Sequence, residues 1–189
     1  MALCYHVLDF SIIKEFKMTI TILANIIAFA GCMIMVLIGL IKTKRKMLIA
    51  QNIQMGLQTI ANILLGGYSG AISSTLGIIR NTVTLKRELT RPIKIIFIAL
   101  QGVLTILFGN PTVLINWLPF ASNAIFISML HAKNPVVIKV SIMVSTACWI
   151  VYDLHYANYV TCAFDILTVI SNLIGIFMIC KYSEQSKRL

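Results

Sequence analysis

The chain predicts an all-α integral membrane protein of seven transmembrane helices. They form two parallel three-helix repeats around a single linker helix (3+1+3), with the N-terminus outside and the C-terminus cytoplasmic. Three observations carry this expectation. Of 189 residues, 59% are hydrophobic and 12% charged, against about 25% charge in a soluble domain, and the mean hydropathy is +0.91. Basic clusters cut the chain into long runs almost free of charge. Sliding the sequence on itself by 91 positions lays the first three runs on the last three.

Residues 1–17 form an N-terminal segment. Met18 to Ile41 is an uncharged run of 24 residues, about 36 Å of helix against a hydrocarbon core of about 30 Å. It is too long for a signal-peptide core, so it stays in the mature chain as the first span. Lys42, Lys44, Arg45 and Lys46 follow. From Met47 to Leu85 the only charge is Arg80, and Gly66-Gly67-Tyr68-Ser69-Gly70 sits near the middle; this reads as a helical hairpin that completes the first repeat, residues 18–85. Gly66 and Gly70 match a GxxxG spacing, for which turn chemistry and close helix packing are both open readings.

A basic loop and linker helix occupy residues 86–112, with Pro92 suited to a first helical turn where its missing N–H costs little. A turn at Gly109-Asn110-Pro111-Thr112 leads to the second repeat, residues 113–180. There His131-Ala132-Lys133-Asn134-Pro135 forms a polar break, and a last hairpin from Val136 to Cys180 turns around His155-Tyr156-Ala157-Asn158-Tyr159. Residues 181–189 form a cytoplasmic tail. The junctions and tail carry Lys42, Lys44, Arg45, Lys46, Lys86, Arg87, Arg91, Lys94, Lys133, Lys139, Lys181, Lys187 and Arg188, while the hairpin turns carry no lysine or arginine. Positive-inside logic sets the orientation. It also accounts for most of the net charge of +10 without a nucleic-acid partner.

The repeat rests on Leu23 with Leu114, Asn25 with Asn116, Phe29 with Phe120, Ala30 with Ala121, Ile34 with Ile125 and Lys42 with Lys133. It continues with Tyr68 and Tyr159, Leu76 and Leu167, Ile79 and Ile170, and Asn81 and Asn172. Asn62 falls on Asp153. Apolar matches are cheap in such a sequence, so the asparagine and tyrosine pairs carry the weight. Three spans and a linker between equivalent positions make the repeat parallel, about an axis along the membrane normal.

Two resemblances follow. The three-one-three arrangement resembles the SWEET and PQ-loop class of small transporters, although the PQ dipeptide is absent and Pro119 has Ala28 as its counterpart. Over nearly the whole chain the sequence resembles the YgjV-type bacterial inner-membrane protein family. The marks are Gly77-Ile78-Ile79-Arg80-Asn81 leading to Leu85-Lys86-Arg87, Leu118-Pro119, the run Ser145 to Asp153, and Asn172-Leu173-Ile174. That resemblance implies a multi-pass protein of the bacterial inner (plasma) membrane and leaves its activity open. The SWEET resemblance implies that Asn81 and Asn172 face a substrate.

Ionisable groups within a span cost about 2.5–3.5 kcal/mol at the helix centre, so each is a candidate for function. Asp165 reads either as a carboxylate lining a polar cavity or as a structural partner of Arg80; Arg80 reads as a structural or lipid-facing charge that snorkels to headgroups. Gln51, Gln54, Gln58 and Asn62 form a polar stripe on one helix face. It suits a solute path or interhelical hydrogen bonds worth roughly 0.6–2 kcal/mol each. Ser141, Ser145, Trp149 and Tyr152 share a second face, and Asp165, Thr168 and Asn172 a third. Five scattered cysteines and three separated histidines signal no disulfide framework or zinc site. No cofactor, metal or catalytic group is expected, and an enzyme is not.

The expectation is therefore a small-solute transporter of SWEET-like architecture, with Asn81, Asn172, Gln58, Trp149 and Asp165 contacting substrate. The alternative is a non-transporting assembly or regulatory protein of the membrane. The partners expected are the lipid bilayer and a small polar solute, with a homo-oligomer left open.

Overall fold

The computed structural model describes residues 2–38, 44–86, 90–129 and 135–188; Lys42, Arg87, Lys133 and the break at His131 lie outside the described residues. The four prolines explain where helices begin. Pro92 and Pro119 lie in first turns, Pro135 opens a helix, and Pro111 lies in a connecting turn, the places where a missing N–H is harmless. Among the described residues seven α-helices result: α1 (Ala2–Ile38), α2 (Lys44–Leu64), α3 (Tyr68–Lys86), α4 (Arg91–Phe108), α5 (Leu118–Met129), α6 (Pro135–His155) and α7 (Tyr159–Arg188). A 3-10 turn over Leu114–Trp117 leads into α5. No strand occurs among the described residues.

Two ends differ from the sequence expectation. α1 starts at Ala2 rather than Met18, and α7 runs beyond Cys180 to Arg188. Neither residues 2–17 nor 176–188 contain a glycine or proline to stop a helix.

Three helical stretches are long and apolar enough to cross a membrane by length and composition: Glu15–Leu37, Arg91–Phe108 and Tyr159–Phe177. α2 carries its amide stripe and α3 carries Ser69, Ser73, Ser74, Thr75, Thr82 and Thr84. Their polarity is turned inward. Gln58, Asn62, Ser69, Ser73, Ser74, Asn81, Ser122, Asp153 and Asn158 are buried, while Ile22, Phe29, Ile96, Leu107, Leu167, Ile174 and Phe177 are exposed. A molecule with an apolar coat and a polar interior suits lipid, where exposed apolar side chains cost nothing and polar ones need internal partners.

The helices follow one another around a closed ring. α1 packs on α2, α2 on α3, α3 on α5, α5 on α6, α6 on α7, and α7 back on α1, with α4 outside against α3 and α5. The α2–α3 and α6–α7 turns lie together at one end, since a Cβ added at Gly67 would stand 2.6 Å from Tyr152 Oη and 3.4 Å from the Tyr156 ring. They are built alike. Gly66 and Ala157 are both left-handed, with φ of 77° and 57°. The hydrogen bonds Leu65 N–H to Ala61 O, Gly66 to Ile63, Gly67 to Asn62 and Ala71 to Gly67 recur as Tyr156 to Tyr152, Ala157 to Leu154, Asn158 to Asp153 and Cys162 to Asn158.

α1 fixes the second of these turns through Asn25. Its Nδ2 donates to Ala157 O at 2.9 Å, and its Oδ1 accepts from Val160 N–H at 3.1 Å. On the other side Tyr156 Oη donates to Asn116 Oδ1 at 2.5 Å. The GxxxG pair divides its labour. Gly66 serves the turn, with open space around it, whereas a Cβ at Gly70 would lie 2.7 Å from the Tyr152 ring and 2.9 Å from Asn62 Nδ2.

Candidate functional site: a central polar cavity

The ring encloses a cavity of about 160 Å³ lined from α1, α2, α3, α5, α6 and α7. Each position follows from helical spacing. On α2, Gln54 and Gln58 share a face one turn apart, and on α3 Ser73, Gly77 and Arg80 descend at four- and three-residue steps. α1 supplies Cys32 and Met35, α5 supplies Asn123, α6 supplies Trp149, and α7 supplies Thr161 and Asp165. Gly77 keeps α2 and α3 close here, because a Cβ would fall 2.7 Å from Met55 Sδ.

Several lining groups are held by hydrogen bonds. Asn123 Nδ2 donates to Ser73 Oγ at 2.6 Å and to Gln101 Oε1 at 3.0 Å, tying α5 to α3 and α4. Gln58 Nε2 donates to Thr161 Oγ1 at 2.9 Å, so α2 and α7 meet across the ring. Gln58 Oε1, although buried, has no hydrogen-bond partner. Trp149 packs edge-on against Tyr152 with ring centroids 5.6 Å apart. Arg80 and Asp165 both line the cavity, half-buried, yet form no ion pair with each other.

A second polar cluster lies between the cavity and the paired turns. Thr161 Oγ1 donates to Asn158 Oδ1 at 2.9 Å, and Asn158 Nδ2 donates to Asp153 Oδ1 at 3.1 Å. A chain of hydrogen bonds thus runs from Gln58 at the cavity to the fully buried Asp153. Tyr152 Oη accepts from Gly70 N–H at 2.8 Å and from Ser69 Oγ at 3.2 Å.

The structure brings together five of the residues singled out in sequence: Gln54, Gln58, Trp149, Asp165 and Arg80. Arg80, read in sequence as a structural or lipid-facing charge, stands on the cavity wall and forms no ion pair with Asp165. Asn81 and Asn172 are not brought there. Asn81 is turned one residue past the Gly77–Arg80 face toward α2, where its Nδ2 donates to Gln51 Oε1 at 3.1 Å. Asn172 lies two turns beyond Asp165 in a lateral groove with Met35, Val36 and Thr168, and its Nδ2 donates to Thr168 O at 2.9 Å. The sequence reading missed Asn123, Thr161, Ser73, Ser74 and Cys32. Asn123 carried a signal, being an amide within an apolar run.

The family model Imp-YgjV, a bacterial inner membrane protein family, matches residues 22–183. No curated protein and no solved structure matches the chain.

Proposed function

We propose that this chain, which belongs to the Imp-YgjV family of bacterial inner membrane proteins, carries a small polar solute across that membrane. The observation behind this reading is the cavity, to which six helices each bring at least one polar or sulfur-bearing side chain. Polar groups inside a membrane protein are costly unless they pair or line a hydrated path. Among the described residues Asp165 and Arg80 line the cavity without an ion pair, and the buried Gln58 carbonyl has no hydrogen-bond partner.

In this proposal the seven helices are all spans, in two parallel three-helix units, α1–α3 and α5–α7, linked by α4. Matching left-handed turns support it, as does the ring, in which the α3–α5 contact is the counterpart of the α7–α1 contact. So do three pairs of lining residues 91 positions apart: Cys32 and Asn123, Gln58 and Trp149, Ser74 and Asp165. In this reading the cavity lies near the axis relating the units, where rocking of one against the other would open it to alternate sides. The charge pattern supports an external N-terminus and a cytoplasmic C-terminus.

The test is uptake into proteoliposomes of purified protein, using labelled amino acids, sugars and organic acids. Uptake above protein-free vesicles, lost in Gln58→Leu and Trp149→Ala, is the expected result; no uptake of any class contradicts the proposal. The rival reading, a non-transporting assembly protein, draws on the Gln51–Asn81 and Gln101–Asn123 bonds, which are what a dry bundle would contain. It leaves Asp165 and Arg80 without a role.

A further inference from the structure

The cavity wall holds one basic and one acidic side chain. Arg80 comes from α3 and Asp165 from α7, and the two form no ion pair with each other. In a low-dielectric interior a lone charge is expensive, and a ligand that compensates only one of two opposite charges leaves the other uncompensated. A sugar would compensate neither; an organic acid would satisfy Arg80 and repel Asp165; an amine would do the reverse.

We infer that the cavity binds a small zwitterion, an α-amino acid with a short side chain, its carboxylate on Arg80 and its ammonium on Asp165. This rests on the cavity being the solute site proposed above and names the class of solute it takes.

Three features fit. The paired turns put the starts of α3 and α7 at one level; Asp165 lies six residues into α7 and Arg80 twelve into α3, about 9 Å and about 18 Å deep. The two residues thus enter the cavity at different depths, about 9 Å apart along the helix axes, which leaves room for a ligand between their side chains. Second, the buried Gln58 Oε1, one of the atoms left without a partner, is an acceptor suited to another ammonium N–H. Third, the cavity of about 160 Å³ is close to one of about 150 Å³ that holds benzene, so it admits about six heavy atoms, the size of alanine.

The test uses the purified full-length protein in lipid nanodiscs, with binding read by thermal stabilisation and competition, and the same ligands assayed for uptake in proteoliposomes. L-Alanine and L-serine should bind, while L-alaninamide, lactate and glucose should compete at least about tenfold more weakly. Arg80→Gln should weaken alanine by tenfold or more and strengthen or spare alaninamide, whose ammonium Arg80 repels. Asp165→Asn should weaken alanine and strengthen or spare lactate, whose carboxylate Asp165 repels. A purely structural role for either residue would lower all ligands together. Binding of glucose or lactate in preference to alanine overturns the zwitterion while sparing the carrier; binding of none overturns the inference. Alanine binding without uptake upholds the ligand class and refutes the carrier.

Discussion

Gly66 and Ala157, separated by 91 positions, adopt the same left-handed backbone, with φ of 77° and 57°, inside turns that repeat four backbone hydrogen bonds. An L side chain pays roughly 1–2 kcal/mol for that conformation, and glycine pays little. Gly66→Ala should therefore lower stability by about 1 kcal/mol. Ala157→Gly should raise it by up to about 1 kcal/mol, the relief being partly offset by the greater freedom of glycine in the unfolded chain. Unfolding midpoints in mild detergent check both. Equal loss in the two variants would show that the turns differ in what they demand.

The contact between Gly70 and Tyr152 gives a second expectation. A methyl group at Gly70 would meet the Tyr152 ring at 2.7 Å and Asn62 Nδ2 at 2.9 Å. Overpacking of this kind costs about 1–3 kcal/mol. Tyr152→Phe should cost about as much, because it removes the acceptor of the buried Gly70 N–H. Both losses are read in the same unfolding assay. A Gly70→Ala variant as stable as the parent would mean the two hairpins are not held this tightly.

The hairpins, their turns and the inward polarity were legible in sequence because charge, glycine and proline act locally. Helix extents at both ends were not, since the sequence was cut where charge began, and a helix does not stop at a lysine. The site was half legible. Gln58, Trp149 and Asp165 stood out as polar groups in apolar runs. Which face of each helix meets the axis depends on packing, and that turned Asn81 toward Gln51, moved Asn172 to a lateral groove and brought Arg80 inward. Ser73 and Ser74 were invisible because serines are common in α3.

The position of Asn81 leads to a discriminating measurement. With its amide on Gln51, Asn81→Ala should lower stability by about 0.6–2 kcal/mol and leave solute affinity within about twofold. Trp149→Ala, at the wall, should weaken solute binding by a larger factor than it weakens the fold. Solute titrations beside unfolding curves separate the two effects. An Asn81→Ala protein of normal stability that no longer binds solute would put Asn81 back in the site.

Asn25 offers a test of how α1 and α7 are joined. Its side chain bonds both the Ala157 carbonyl and the Val160 N–H, so Asn25→Ala strands two backbone groups. Each stranded group costs about 1–3 kcal/mol where water is excluded. The loss should appear as a lower midpoint and as faster proteolysis at the turn containing Ala157. No change in either would mean that lipid headgroups or water satisfy those groups.

Water access to the cavity is the most direct test of the whole account. Single cysteines at positions 58, 149 and 165, in a background cleared of the native cysteines, would be exposed to a small water-soluble thiol reagent from each side of the membrane. The account expects labelling at all three, slowed by bound solute, with protection at 81 and at the lipid-facing 106. Complete protection at 58, 149 and 165, with a control at position 112 in the α4–α5 turn reacting normally, would mean a dry bundle and contradict it.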